Sequence, residues 1–182
     1  EAEPHVAAAM LKAGEADLAL VYDHPAMTVM PDLELTHLMD DRYDALLPVD
    51  HPLAARKRLS LKDLADEAWI LSTPNNGCRT ITSAISREAG FEPRVAFEAD
   101  DTLASQALVA SGVGVTLMPR MALTAVHPGA VARPLQDGAV RRVLAARMEG
   151  GFHSPASDAM LVILEDVAAS FSGPRLELAS SG

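Results

Sequence analysis

From residue 77 onward the chain alternates helix-forming and strand-forming segments with glycines at the helix ends, and this alternation constrains the fold most. Residues 77–89 read as a helix with Ile81, Ala84 and Ile85 on one face, stopped by Gly90. Residues 94–97 read as a strand. Residues 101–111 form the next helix, with Leu103, Ala107 and Leu108 inward and Asp100 or Asp101 as its cap. Gly112 ends that helix, and 113–118 is a buried strand. Two more strands are expected at 130–133 and 142–146. A final helix starts with Ser154 as cap and Pro155 at its first position, and Met160, Leu161, Leu164, Val167, Ala168 and Phe171 form its apolar stripe. Strands that alternate with helices imply an α/β fold with largely parallel sheets.

The first half fits the same pattern. Residues 4–12 predict a helix, with Val6, Met10 and Ala13 near helical spacing and Gly14 as the stop. Residues 17–22 predict a strand buried on both faces. Residues 33–39 and 43–48 predict two strands separated by Asp40-Asp41, and His51-Pro52-Leu53 a turn. A short helix at 61–65 precedes a strand at 68–71 around the single tryptophan, Trp69. The chain opens on Glu1-Ala2-Glu3 and enters a helix directly, so earlier sheet elements are expected to be absent. Gly173-Pro174 stops the last helix, and 173–182 is expected to be a flexible tail.

Composition narrows the function classes. With 182 residues, 49% of them hydrophobic, the chain can bury a core without metals or disulfides. The single cysteine, Cys78, excludes an internal disulfide framework. A formal charge of -10 makes the chain as a whole a poor ligand for nucleic acid. No apolar run approaches the ~20 residues that span a bilayer. The expected setting is soluble and cytoplasmic, with no membrane partner.

Several motifs read as structural. Gly112-Val113-Gly114 lacks a third glycine and precedes a strand, so it is a helix-to-strand turn and not a dinucleotide loop. There is no phosphate-cradling loop and no serine-hydrolase elbow. His24, His51 and His127 each precede a proline and belong to turns, not to a metal site. Asp40-Asp41 and Asp100-Asp101 are adjacent acids whose side chains point apart or cap a helix, which argues against a catalytic pair. Cys78 sits in the first turn of a helix beside Arg79, and both features would make a thiol more reactive; an inert, partly buried cysteine is the plain alternative. No catalytic residue, metal site or cofactor is expected.

The stretch Leu71-Ser72-Thr73-Pro74-Asn75-Asn76-Gly77-Cys78-Arg79 carries the functional signal. A buried strand ends in hydroxyls and amides, and a helix starts at once. Helix-start amides, the hydroxyls and the Arg79 guanidinium could all face a small anion. The carboxyl end of a strand is also where open α/β sheets bind ligands. Ser72, Thr73 and Asn75 could equally be helix caps.

The order of segments resembles the LysR-type transcriptional regulators. Gly14-Glu15-Ala16-Asp17-Leu18-Ala19-Leu20-Val21 is similar to that family's strand entry. Leu47-Pro48-Val49-Asp50-His51-Pro52-Leu53-Ala54 is similar to its turn after the fifth strand. Leu61-Lys62-Asp63-Leu64, then Trp69-Ile70-Leu71, continue the match. Leu108-Val109-Ala110-Ser111-Gly112-Val113-Gly114-Val115-Thr116-Leu117-Met118-Pro119 is the most specific piece. The resemblance covers the chain up to about Phe171 and implies the effector-binding domain, truncated at its N-terminus.

This resemblance implies a two-lobe fold of the type II periplasmic-binding-protein kind, hinged by two crossing strands. Lobe one would hold residues 1–41 and 138–172, and lobe two residues 42–137. A small effector, an organic acid or amino-acid-like metabolite, would lie in the cleft and bias the hinge. The residues carried over to that cleft are Ala2, Glu3, Ser72, Thr73, Pro74, Asn75, Asp100, Thr102 and Val140; Arg79 is added on charge and position. The implied partners are a second copy of the domain, up to a tetramer in the parent protein, and duplex DNA through a helix-turn-helix outside this chain. The alternative reading is a solute-binding protein of a transport system, which shares the fold. An enzyme has no nucleophile-base pair here to support it.

Overall fold

The computed structural model describes residues 2–27, 30–136 and 138–172, so the predicted tail at 173–182 lies outside the described residues. The chain divides into two compact units. Among the described residues, the first comprises 2–22, 30–40 and 142–172, the second 23–27, 41–136 and 138–141.

In the first unit, α1 (Pro4–Lys12), β1 (Ala19–Asp23), the first half of β2 (Leu33–Pro48), most of β7 (Val140–Met148) and α4 (Pro155–Ser172) build a sheet in the order β1-β7-β2 with helices. Its core is Leu11, Val21, Leu144 and Ala146. The buried line of α1 is Pro4, Ala8 and Leu11, not Val6, which is 42% exposed. Pro4 and the small Ala8 lie on this line with Leu11, so the bulkier Val6 misleads. β1 buries only Val21, and Leu20 faces outward. In α4, Leu161, Leu164 and Ala168 turn inward while Met160, Val167 and Phe171 are exposed. Ser154 does cap this helix, its Oγ accepting from the Ser157 amide at 3.2 Å.

β2 is one continuous 16-residue strand through Asp40-Asp41, where the sequence predicts two strands. Alternation carries it through. Asp40 faces outward and meets His37 Nε2 at 2.9 Å, and Asp41 faces inward to a buried arginine.

In the second unit the second half of β2 pairs antiparallel with β5 (Thr116–Pro119) and β6 (Ala130–Pro134), in the registers Tyr43–Pro119 and Asp44–Pro134. β3 (Ala68–Leu71) pairs parallel with β4 (Arg94–Glu98), and Trp69 bridges to Val115 in parallel. The sheets are therefore mixed, and the expectation of largely parallel pairing is corrected around β2. Leu46, Ile70, Val109, Met118, Leu123 and Ala130 form the core. Trp69 is fully buried, and its indole N–H donates to the Leu64 carbonyl at 3.1 Å.

Helices α2 (Gly77–Glu88) and α3 (Thr102–Ala110) pack in this unit. α2 buries Ile81 and Ile85 as expected. α3 is rotated from its expected face: Leu103 is 73% exposed, and Ser105, Gln106 and Val109 are buried. Gln106 takes the inward position because it satisfies backbone there. Its Nε2 donates to the Ala122 and Ala125 carbonyls and its Oε1 accepts from the His127 amide.

Helix ends follow the sequence most closely. α1, α2 and α3 all close with paired bonds, as in Gly112 N–H to Val109 C=O and Val113 N–H to Leu108 C=O. Gly112 has φ +79°, which suits glycine there. Gly114 is glycine for another reason: a Cβ would run into the Ala68 carbonyl of β3. Gly114→Ala should lower stability by about 1–3 kcal/mol, because backbone and not a flexible side chain must yield. A urea midpoint equal to wild type would contradict this close approach.

Candidate functional site

The loop after β3 is held from several sides. Asp100, just before α3, accepts three bonds from it: the Thr73 amide at 2.9 Å, the Thr73 hydroxyl at 2.8 Å and the Asn76 side-chain amide at 3.2 Å. Asn76 caps α2, its Oδ1 accepting from the Cys78 amide at 2.8 Å. The cap is thus Asn76, not Ser72, Thr73 or Asn75. Asp101 caps α3 through the Ala104 amide at 2.7 Å. Arg79 reaches back, donating to the Ser72 carbonyl at 2.9 Å and to Glu98 at 3.0 Å. That guanidinium has a structural partner on each side.

Two polar groups in this braced loop have no partner among the described residues. They are the half-buried Ser72 hydroxyl and the exposed Asn75 side chain. The Thr102 hydroxyl, at the first position of α3, is likewise unpartnered among the described residues. Pro74 is exposed at the loop's tip. The structure therefore brings Ser72, Thr73, Pro74, Asn75, Arg79 and Asp100 together, with Thr102 two residues along from Asp100.

Behind the start of α2 lies a group that no sequence motif signals. Arg141 donates through Nε and Nη2 to Asp41 Oδ2 at 3.0 and 2.9 Å, and Asp41 Oδ1 accepts the Met121 amide at 3.1 Å. Asp41's side chain is fully buried and Arg141's nearly so. Arg141 Nη1 also lies 3.8 Å from Cys78 Sγ, which accepts from the Tyr43 hydroxyl at 3.5 Å. Burial alone would lower the Arg141 pKa, but Tyr43, Cys78 and Asp41 outweigh it and the pKa is raised. Arg141 stays cationic. Asp41 and Arg141 are 100 residues apart, and no sequence spacing joins them.

The other predicted residues fall elsewhere. Glu3, in the first unit, flanks α1 and accepts the Tyr22 hydroxyl at 3.0 Å; Ala2 is exposed beside it. Val140 opens β7. The three histidines before prolines share one motif: the Nδ1 of His24, His51 and His127 accepts the amide two residues on, at 3.1, 3.2 and 3.0 Å. Burial lowers the His24 pKa, partly offset by Glu88 and Asp23. No group of three or more metal-ligating side chains occurs among the described residues.

Comparison with known proteins places this geometry. The family profile described as the LysR substrate binding domain matches residues 1–169. The chain belongs to the LysR substrate-binding-domain family. Among curated relatives, the transcriptional dual regulator GltC of Bacillus subtilis is 32% identical over 129 residues, 70% of this chain and 42% of GltC. The LysR domain thus spans less than half the length of that relative. Among solved structures, the C-terminal domain of a probable LysR family regulator from Rhodococcus sp. RHA1 aligns with TM-score 0.78 and 26% identity, covering 90% of this chain and 81% of that one. The BenM effector binding domain with its effector benzoate aligns with TM-score 0.79 and 21% identity, covering 100% and 83%. The α/β fold of this LysR domain is that of effector-binding domains, as the sequence resemblance implied. No helix among the described residues is long and apolar enough to cross a membrane.

Proposed function

We propose that the chain is the effector-sensing part of a DNA-binding transcriptional regulator, and that its loop 72–75 takes the polar end of an organic acid or amino-acid-like metabolite. The observation that carries this reading is a loop whose shape is fixed by Asp100, Asn76 and Arg79 while Ser72 and Asn75 keep unused hydrogen-bonding groups. A pre-ordered loop with free donors loses little entropy on binding. Ser72, Asn75 and Thr102 are the proposed contacts; Thr73, Asp100 and Arg79 hold them, and Pro74 stiffens the tip. Arg141, paired with Asp41, packs behind Cys78 and helps to fix the start of α2. Ala2, Glu3 and Val140 complete the proposed set from the resemblance. GltC, a transcriptional regulator, and the benzoate carried by the BenM domain support the assignment over a transport protein.

On the same reading the domain pairs with a second copy of itself and is not an enzyme. The parent protein works in the cytoplasm and contacts DNA through residues outside this chain. Ser72→Ala isolates the loop's role. The hydroxyl has no partner among the described residues, so the variant should melt like wild type. A panel of small carboxylates and amino acids, screened by thermal shift on the wild-type chain, supplies the ligand. Affinity for it should fall roughly ten- to hundredfold in Ser72→Ala, the worth of one hydrogen bond to a charged group. Unchanged affinity would remove Ser72 from the site.

A further inference from the structure

Along β2 at Arg42, Tyr43 and Asp44 lies a concavity of about 260 Å³, within the second unit. Three pairings assemble it. Arg42 and Asp44 share one face of β2, two residues apart, and Tyr43 between them also belongs to the lining. Arg120 follows Pro119, which is in register with Tyr43. Arg58 precedes Leu59, whose amide donates to the Pro134 carbonyl and which bridges Leu135. Pro134 and Leu135 contribute an apolar part of the lining.

The charge in this concavity is uneven. Among the described residues, its lining holds three guanidiniums and one carboxylate. That carboxylate, Asp44, is nearly buried and already engaged: Arg120 Nε donates to its two oxygens at 3.1 and 3.0 Å. Arg42 and Arg58 have no ion-pair or hydrogen-bond partner among the described residues. Three cations converge in a chain whose net charge is -10. Like charges held together around a cavity are relieved by a counter-ion, and a guanidinium fork matches an oxyanion in geometry. One of the three is neutralised by Asp44, which leaves a surplus of two positive charges. The volume is just under the ~300 Å³ lower limit of sites for drug-sized ligands.

We infer that Arg42, Arg58 and Arg120 form a second ligand site, separate from loop 72–75, that binds a compact dianionic oxyanion of the phosphate or sulfate kind. Asp44 orients Arg120, and Arg42 and Arg58 close on the anion. The site does not depend on the proposed effector loop, because the two share no residue. Cations gathered around a cavity lined by proline and leucine suit a small free anion better than the backbone of a duplex, which needs an outward-facing row of cations.

The test uses the purified chain in low-salt buffer, titrated calorimetrically with inorganic phosphate and, separately, sulfate. The expected result is saturable one-to-one binding at about millimolar concentration or below. Arg42→Gln and Arg58→Gln should each weaken it at least about tenfold while melting within about 2 °C of wild type, since both are exposed. Ser72→Ala should bind phosphate as wild type does, which separates this site from the effector loop. Absence of saturation by about 20 mM of either anion would overturn the inference. So would saturable binding that neither arginine variant changes. Loss of duplex-DNA binding in these variants, with no response to phosphate, would also overturn it and assign the arginines to a nucleic-acid surface.

Discussion

Asp41→Ala should lower the unfolding free energy by about 3–5 kcal/mol, a larger loss than that expected for Gly114→Ala. The reason is desolvation. Asp41's side chain is wholly buried, and its two oxygens are engaged by the Arg141 guanidinium and the Met121 amide. Truncation removes the buried cation's carboxylate partner and leaves an amide with no acceptor. Arg141 cannot escape by losing its proton, since its pKa is raised and arginine stays charged in any ordinary buffer. The double variant Asp41→Leu/Arg141→Met should recover much of the loss, because replacing both members takes the buried cation away with its carboxylate. Chemical denaturation of the two variants checks this. A loss under about 1 kcal/mol in Asp41→Ala would mean that water reaches Arg141 freely.

The second large effect falls on binding. Asp100→Ala frees the Thr73 amide, the Thr73 hydroxyl and the Asn76 side chain together. These groups can turn to water, so stability should fall by only about 1 kcal/mol. The loop, however, loses the anchor that presents Ser72 and Asn75. Effector affinity should then fall about tenfold or more, because binding must now order the loop. Asp100→Asn keeps an acceptor oxygen and should fall between the two. Calorimetry with the carboxylate found by thermal shift measures the series; equal affinities for wild type and Asp100→Ala would show that the loop does not recognise the ligand.

What can be read from the sequence follows from how locally each feature is determined. Gly14, Gly90 and Gly112 end their helices where expected, because a helix end is settled by a few adjacent residues. The turns at His24, His51 and His127 are local in the same way. The glycine pair at 112 and 114 is legible as a turn for the same reason. The inward faces of α1, α3 and α4 are not legible, because alanine, serine and glutamine fill buried positions that a hydrophobic pattern assigns to larger residues. Gln106 is inward because three backbone groups need it. The hydroxyls and the helix start mark loop 72–79 in the sequence, but the division between bracing and free groups depends on Asp100, 27 residues from Thr73. The Asp41–Arg141 pair and the cluster of Arg42, Arg58 and Arg120 arise from strand register, which no local pattern encodes.

Amide hydrogen exchange with and without the identified carboxylate tests the central claim most directly. Exchange reports protection residue by residue without any substitution. If loop 72–75 receives the effector, amides from Thr73 to Arg79 and at the start of α3, 102–105, should slow on saturation, with the α4 amides as internal reference. Protection absent from 73–79 while the ligand is demonstrably bound would contradict the account.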